Sequence, residues 1–328
     1  MIKLIRKFFR GAPDAGSARP LISFIVIVYD MPEQAERTLR TLLPDYQTGV
    51  NDGDYEVVVV ENKSGNVMSE EFLDSLPSNF RYFLRDETKP TPVFAIEYGA
   101  SVATGENICL MIDGARLLTP GVVGQVVHGH RIHKNAVVTV PGYHLGDEIQ
   151  QRAVDSGYGT EAEKALMATT DWPVDGYSLF DISCFSGSCA DGFFLPSLES
   201  NCISMPRETW NYLGGCDLRF DARGGGLVNL DLYKRAIELP DTLHVIIPGE
   251  GTFHQFHGGV TTGGESTGDS AKLIEVLHAQ YAVIRGELYT PPESDPLFFG
   301  RVPAHAHRFI SLSVERHAEI MAIKAAGN

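Results

Sequence analysis

The chain has 328 residues, 43% of them hydrophobic, enough to bury one large core or a core with an appendage. Its 42 acidic and 27 basic residues give a net charge of −15, which argues against a nucleic-acid backbone as the main partner, because phosphate neutralisation needs clustered Lys and Arg. No stretch reaches the ~20 apolar residues of a membrane span, and the 5 cysteines form no CxxC pair, which points to a reduced, cytoplasmic setting.

Taken in order, the chain opens with MIKLIRKFFR, where Ile2, Leu4, Ile5, Phe8 and Phe9 alternate with four basic residues. As a helix, residues 1–10 would be basic and amphipathic, suited to peripheral contact with the inner face of an anionic membrane. A frayed, solubilising terminus fits the same residues equally well. The small, turn-prone residues 11–20 read as a linker. Residues 24–28 then form a buried strand, followed by a helix with Pro32 near its start and Asp30 as its expected N-cap. A second all-apolar strand, 57–60, ends in Glu61-Asn62-Lys63-Ser64. A short helix around 72–76, a strand at 82–84 and a helix at 94–103 lead to the run NICLMIDGARLL at 107–118. Its five unbroken apolar residues read as a strand buried on both faces. Asp113 follows at the carboxyl end, where open α/β sheets bind their ligands.

Strand and helix keep alternating: a helix over 120–133, a strand over 136–140, and, beyond an aromatic- and Gly-rich excursion at 141–198, a strand at 202–205. A helix at 206–213, another at 228–238 and a strand at 243–247 complete the pattern. This alternation predicts an α/β fold with a mostly parallel central sheet and helices on both faces. A helix over 271–285 and a Pro-rich link begin a C-terminal helical extension, 261–328. No GxGxxG follows the first strand, and no P-loop or GxSxG is present, so a Rossmann dinucleotide site and an α/β-hydrolase elbow are unsupported.

Five segments in order resemble the family 2 glycosyltransferases with the GT-A fold: FIVIVYDMPE from 24, VVVVENKS from 57, EYGASVATGE from 97, IDGA from 112 with TPG from 119, and GGCDLRF from 214 followed by Gly224-Gly225-Gly226 and Asp231-Leu232. The resemblance implies a GT-A domain over 21–260, with a nucleotide-binding half at about 21–140 and an acceptor half at about 141–260. It implies an inverting hexosyltransferase, as in polysaccharide biosynthesis, that moves sugar from a nucleotide-sugar donor to a glycan or lipid-linked acceptor. Tyr29, Asp30, Glu61, Asn62 and Arg85 fall on the nucleoside side, Asp113, Gly114 and Arg116 at the diphosphate, and Asp217 and Trp172 on the acceptor side. Departing diphosphate builds negative charge, which a divalent cation (Mn2+ or Mg2+) or a fixed positive group must offset.

The chain departs from the family pattern twice. Ala115 stands where a DxD motif has its second acid, leaving Asp113 to take a metal ligand from elsewhere, His257 first and His254 second, or to work beside Arg116 without metal. Asn229 stands where the base is expected, which leaves Asp231 and Glu199 as candidate catalytic carboxylates. Both departures also suit a non-catalytic GT-A-like module that binds a nucleotide or glycan.

Overall fold

A computed structural model of the chain describes residues 19–195, 197–257 and 267–326. The basic residues 1–10 lie outside them. No helix among the described residues is long and apolar enough to cross a membrane.

The strands in chain order are β1 (Ile22–Val28), β2 (Tyr55–Asn62), β3 (Phe80–Arg85), β4 (Asn107–Met111), β5 (Arg116–Leu118), β6 (Ala136–Thr139), β7 (Gly142–Leu145), β8 (Ser183–Phe185), β9 (Ile203–Pro206), β10 (Leu243–Ile246), β11 (Thr252–His254) and β12 (Leu297–Phe298). Eight form one sheet in the order β12-β10-β6-β9-β4-β1-β2-β3, and four form a smaller sheet in the order β5-β11-β7-β8. The large sheet is parallel except for β9, which runs antiparallel to both β4 and β6.

The period of two along each strand sorts the apolar residues into two layers. Phe24, Val26, Val57, Val59 and Cys109 face the helices Pro32–Arg40 and Val122–His130. Ile25, Ile27, Val58, Val60 and Leu110 face the helices Val93–Val102 and Val228–Ile237. Both faces are covered, so strands such as VVVV need no polar alternation. The expected fold class is therefore the one observed.

The small sheet was not foreseen. It has its own core, in which Tyr143 is packed among Phe180, Phe185, Phe253 and Phe309 at ring separations of 4.7–5.4 Å. The C-terminal helices add to both cores: Leu277 and Tyr281 of Thr267–Arg285 join the second layer, and Phe309 of His307–Ala326 joins the aromatic cluster.

Asp231 explains how the helix Thr267–Arg285 is tied down. It is wholly buried, with Oδ2 accepting from Arg235 Nε at 2.8 Å and Arg285 Nη2 at 2.6 Å, and Oδ1 from Arg285 Nε at 2.5 Å. Arg285 Nη1 also lies 3.2 Å from Asp217 Oδ2, and Arg219 Nη2 lies 2.6 Å from that oxygen. Removing one partner of a buried ion pair leaves a charge uncompensated. Arg285→Ala is accordingly expected to lower stability by about 3 kcal/mol, read as a reduced urea midpoint with unchanged slope.

Glu250 is a second buried knot. Its Oε2 accepts from Thr119 Oγ1 at 2.5 Å and Gly121 N at 3.1 Å, and its Oε1 from Tyr177 OH at 3.0 Å. Burial pushes its carboxyl from 4.5 up to about 7 despite these donors. A raised folded-state value means stability that is full below pH 4.5 and is lost as pH climbs through about 7. The loss should amount to about 3 kcal/mol. Glu250→Gln keeps the hydrogen bonds without the charge, so its urea midpoint should vary less between pH 4.5 and 8 than that of wild type.

Candidate active site

β1 to β4 end at one edge of the large sheet, and Asp113 follows β4 after a single residue. The turn depends on glycine by close approach. Gly114 N donates to Ile27 O at 2.8 Å, and a Cβ there would stand 2.7 Å from that same oxygen. The chain then leaves the large sheet and enters β5. Ala115 is wholly buried in the first core layer, and its carbonyl accepts from Gln255 N at 2.8 Å. A second acid at this position would point into the core.

The small sheet brings two imidazoles up to Asp113 instead. β5 pairs with β11 so that Arg116 lies opposite His254, and β11 pairs with β7 so that His254 lies opposite His144. His254 Nε2 is thereby 2.9 Å from Asp113 Oδ2, and His257 Nε2 is 3.7 Å from Asp113 Oδ1. The two imidazole Nε2 atoms are 3.2 Å apart. Both histidines named from the sequence reach Asp113, and His254 is the nearer because strand pairing fixes it, a register that sequence spacing does not show.

Charge states follow from the surroundings. Burial works against ionising Asp113, yet His254, His257 and the Arg116 guanidinium around it hold its carboxyl well below the usual range. Burial pushes His254 down to about 4, against the pull of Asp113. With His254 neutral, the fixed charge of the Arg116 guanidinium is what favours the Asp113 carboxylate.

The proton on His254 is placed by its other nitrogen. Nδ1 meets Gln150 Oε1 at 2.5 Å, while Gln150 Nε2 donates to the His254 carbonyl at 3.0 Å. The amide orientation so fixed makes Gln150 Oε1 an acceptor, and the proton of His254 sits on Nδ1. Its Nε2 then turns a lone pair toward the Asp113 carboxylate. Asp113, His254 and His257 offer ligand atoms that all lie within 4.8 Å of one another. Two acceptors facing each other with no proton between them suit a cation.

Arg116 is 6% exposed, and its Nε and Nη1 find no hydrogen-bond partner among the described residues. Nε lies 3.6 Å from Asp113 Oδ2. Such a buried, unfilled donor set is costly unless a ligand completes it. Glu199 is also influenced by Arg116. Its Oε1 accepts from Ser188 Oγ at 3.3 Å and Asn201 Nδ2 at 3.4 Å, and Asn201 Oδ1 in turn accepts from Asn229 Nδ2 at 3.3 Å. Burial raises the Glu199 carboxyl, with Arg116, Asn229, Ser188 and Asn201 opposing. A cavity of about 10 Å3 beside it, lined in part by Ser197, Ser200 and Tyr233, has room for about one water and none for a sugar ring.

Toward β1 and β2, Tyr29 is 59% exposed at the sheet edge. Asp30 does not cap the following helix as expected. It takes a left-handed φ of 54°, and its Oδ1 accepts from Asn66 Nδ2 at 3.0 Å, bridging the loops after β1 and β2. Glu61 is wholly buried, its carboxylate accepting from Tyr82 OH at 2.6 Å and Met68 N at 3.3 Å. Among the described residues, the buried side-chain atoms without partners at this edge are Asn62 Oδ1 and Arg85 Nε, on paired residues of β2 and β3. Arg85 stacks over Tyr98 at 4.4 Å.

The candidate carboxylates separate. Glu199 keeps company with Arg116, whereas both oxygens of Asp231 are committed to Arg235 and Arg285 in the frame. Both oxygens already accept from guanidinium N–H groups and aim at no open crevice, which counts against Asp231 as a base. Asp217 belongs to the same frame, and Trp172 packs half-buried against the aromatic cluster of the small sheet. Gln150 and Glu163 were missed by sequence reading, because a buried Gln or Glu in an irregular excursion carries no motif.

No family model matches the chain, and no curated protein matches it. Solved structures of S. aureus TarS are similar. One TarS structure is 12% identical with a TM-score of 0.50, covering 90% of this chain and 43% of its own. The fragment TarS 1–349 is 10% identical with a TM-score of 0.48, covering 90% and 71%. The same fragment in complex with UDP-GlcNAc is 12% identical with a TM-score of 0.48, covering 90% and 72%. At these identities the likeness is one of fold alone: a mixed α/β arrangement around a mostly parallel sheet.

Proposed function

We propose that the chain is a nucleotide-sugar-dependent glycosyltransferase of the family 2 kind. It would move a hexose-type sugar with inversion to a glycan or lipid-linked acceptor. The observation that carries the proposal is the convergence of Asp113, His254 and His257 on one point at the carboxyl ends of the parallel strands, beside the unfilled donors of Arg116. A divalent cation held there would neutralise the charge building on a departing diphosphate. Two imidazoles and one carboxylate suit Mn2+ better than Mg2+, which prefers oxygen ligands. Arg116 Nε and Nη1 donate to diphosphate oxygens. Tyr29 stacks on the base, Asn62 and Arg85 read its edge, and Glu61 buttresses them from beneath. Glu199 takes the proton of the acceptor hydroxyl.

The test is a thermal-shift titration of wild type with UDP-GlcNAc, UDP-glucose and GDP-mannose, with and without Mn2+. Stabilisation by a nucleotide sugar that grows with Mn2+ is expected, and no stabilisation by any of them would overturn the donor site. Ala115 and Asn229 favour a second reading, the non-catalytic module. Donor binding with no hydrolysis or transfer to a crude glycan extract would select it.

A further inference from the structure

We infer that Gln150 is the positioning residue of the cation site, fixing which nitrogen of His254 is free to bind. The inference rests on the cation reading given above and adds to it a part of the chain that no motif marks.

Gln150 begins the short helix Gln150–Ala153 and is wholly buried. Every polar atom of its side chain, and its backbone N–H, is engaged. Oε1 meets His254 Nδ1 at 2.5 Å, and Nε2 donates to the His254 carbonyl at 3.0 Å and to Glu163 Oε2 at 3.4 Å. Its backbone N–H donates to His144 Nδ1 at 2.9 Å. Gln150 thus grips His254 at both its ring and its main chain, and it touches the other histidine of the same small-sheet row. Glu163 extends the grip, because its Oε2 also accepts from Phe256 N at 2.6 Å, one residue before His257. Two elements of one excursion, Gln150–Ala153 and Thr160–Met167, therefore hold the segment that carries both histidines.

The chemistry favours an amide over its alternatives. A group that accepts from Nδ1–H makes Nε2 the metal-facing lone pair and stiffens the ring. A carboxylate would do this too, but it would add a negative charge in a pocket that already holds Asp113. An apolar residue would leave Nδ1–H unfilled and let the ring take the other tautomer, with its proton pointing at the cation. Packing alone would ask only that the volume be filled, so tautomer control and packing make different predictions.

The experiment is a titration of the full chain with Co2+, followed by visible absorption. Wild type is expected to bind with the d–d bands of a site containing imidazole. Gln150→Met fills the volume without the acceptor and should bind about 10–100-fold more weakly with altered bands. Gln150→Glu restores the acceptor at Nδ1 while giving up the donations to the His254 carbonyl and Glu163, and should recover part of the affinity. Equal binding by wild type and Gln150→Met, or equal weakness of the Met and Glu variants, would overturn the inference. Should Gln150→Met fail to fold, nitrogen NMR of the wild-type imidazoles decides the matter: His254 is expected as the Nδ1–H tautomer, and an Nε2–H ring would refute it. Wild type that binds no Co2+ would sink the cation reading itself, a different result from a wild type that binds and a variant that binds equally.

Discussion

Asp113→Asn is expected to cut sugar transfer by about 10²–10³-fold while the protein stays folded. Asparagine keeps the shape of the side chain and can still accept from Ala115 N, the 3.0 Å bond that fixes the turn. What it loses is the charge. Without it, His254 and His257 have no anionic co-ligand, and two neutral imidazoles hold a hard cation poorly. Two opposing effects act on stability. Arg116 loses its nearest counter-charge, at 3.6 Å, which costs stability. The amide can also donate to His254 Nε2, which replaces an acceptor–acceptor contact with a hydrogen bond. The melting temperature should therefore move far less than the rate. The decisive measurement pairs the transfer rate with Mn2+ affinity. Full transfer by Asp113→Asn, with or without Mn2+, would place the chemistry elsewhere.

How much of this was legible beforehand depends on whether the cause was local. The runs IVIV and VVVV announce strands covered on both faces, because burial of every side chain leaves no room for alternation. Asp113 at the end of such a run announces a strand-end site. The pairing of β5 with β11 could not be read, since it joins Arg116 to a residue far along the chain through backbone hydrogen bonds that favour no side-chain pattern. For that reason Ala115 looked like a lost acid, when its side chain belongs to the core and His254 is brought to Asp113 by another strand. Asp231 is the opposite case. An acid in the first turn of a helix after three glycines looks like a functional acid, and only the return of Arg285 from a later helix shows it to be part of the frame. Asn62 and Arg85 were legible as candidates. That their free atoms face no protein partner required the packed structure.

Glu199→Gln should lower kcat by about 10²–10⁴-fold with KM little changed, because the amide keeps the contacts but cannot accept a proton. The residue stands just before β9, the one strand of the large sheet that runs against its neighbours and so separates the strand end of β4 from that of β6. Its donors, Ser188 and Asn201, are neutral, and the position where the family's base is expected holds Asn229, so no second carboxylate competes for its proton. Burial raises its carboxyl above the ordinary value while Arg116 opposes without prevailing, which brings the base closer to neutral pH, where general-base catalysis is most effective. The sign of the pH dependence follows. The base works when ionised, so kcat/KM should rise with pH through the raised Glu199 value and fall away below it. In Glu199→Gln the residual rate should lose that acidic limb, and in Glu199→Asp the limb should persist on a lower plateau. Loss of rate with the limb intact would mean that another group carries the proton and that Glu199 only shapes the crevice. Asp231 would not inherit the role, since freeing it from Arg235 and Arg285 would first have to break the ion pairs that hold the C-terminal helix in place.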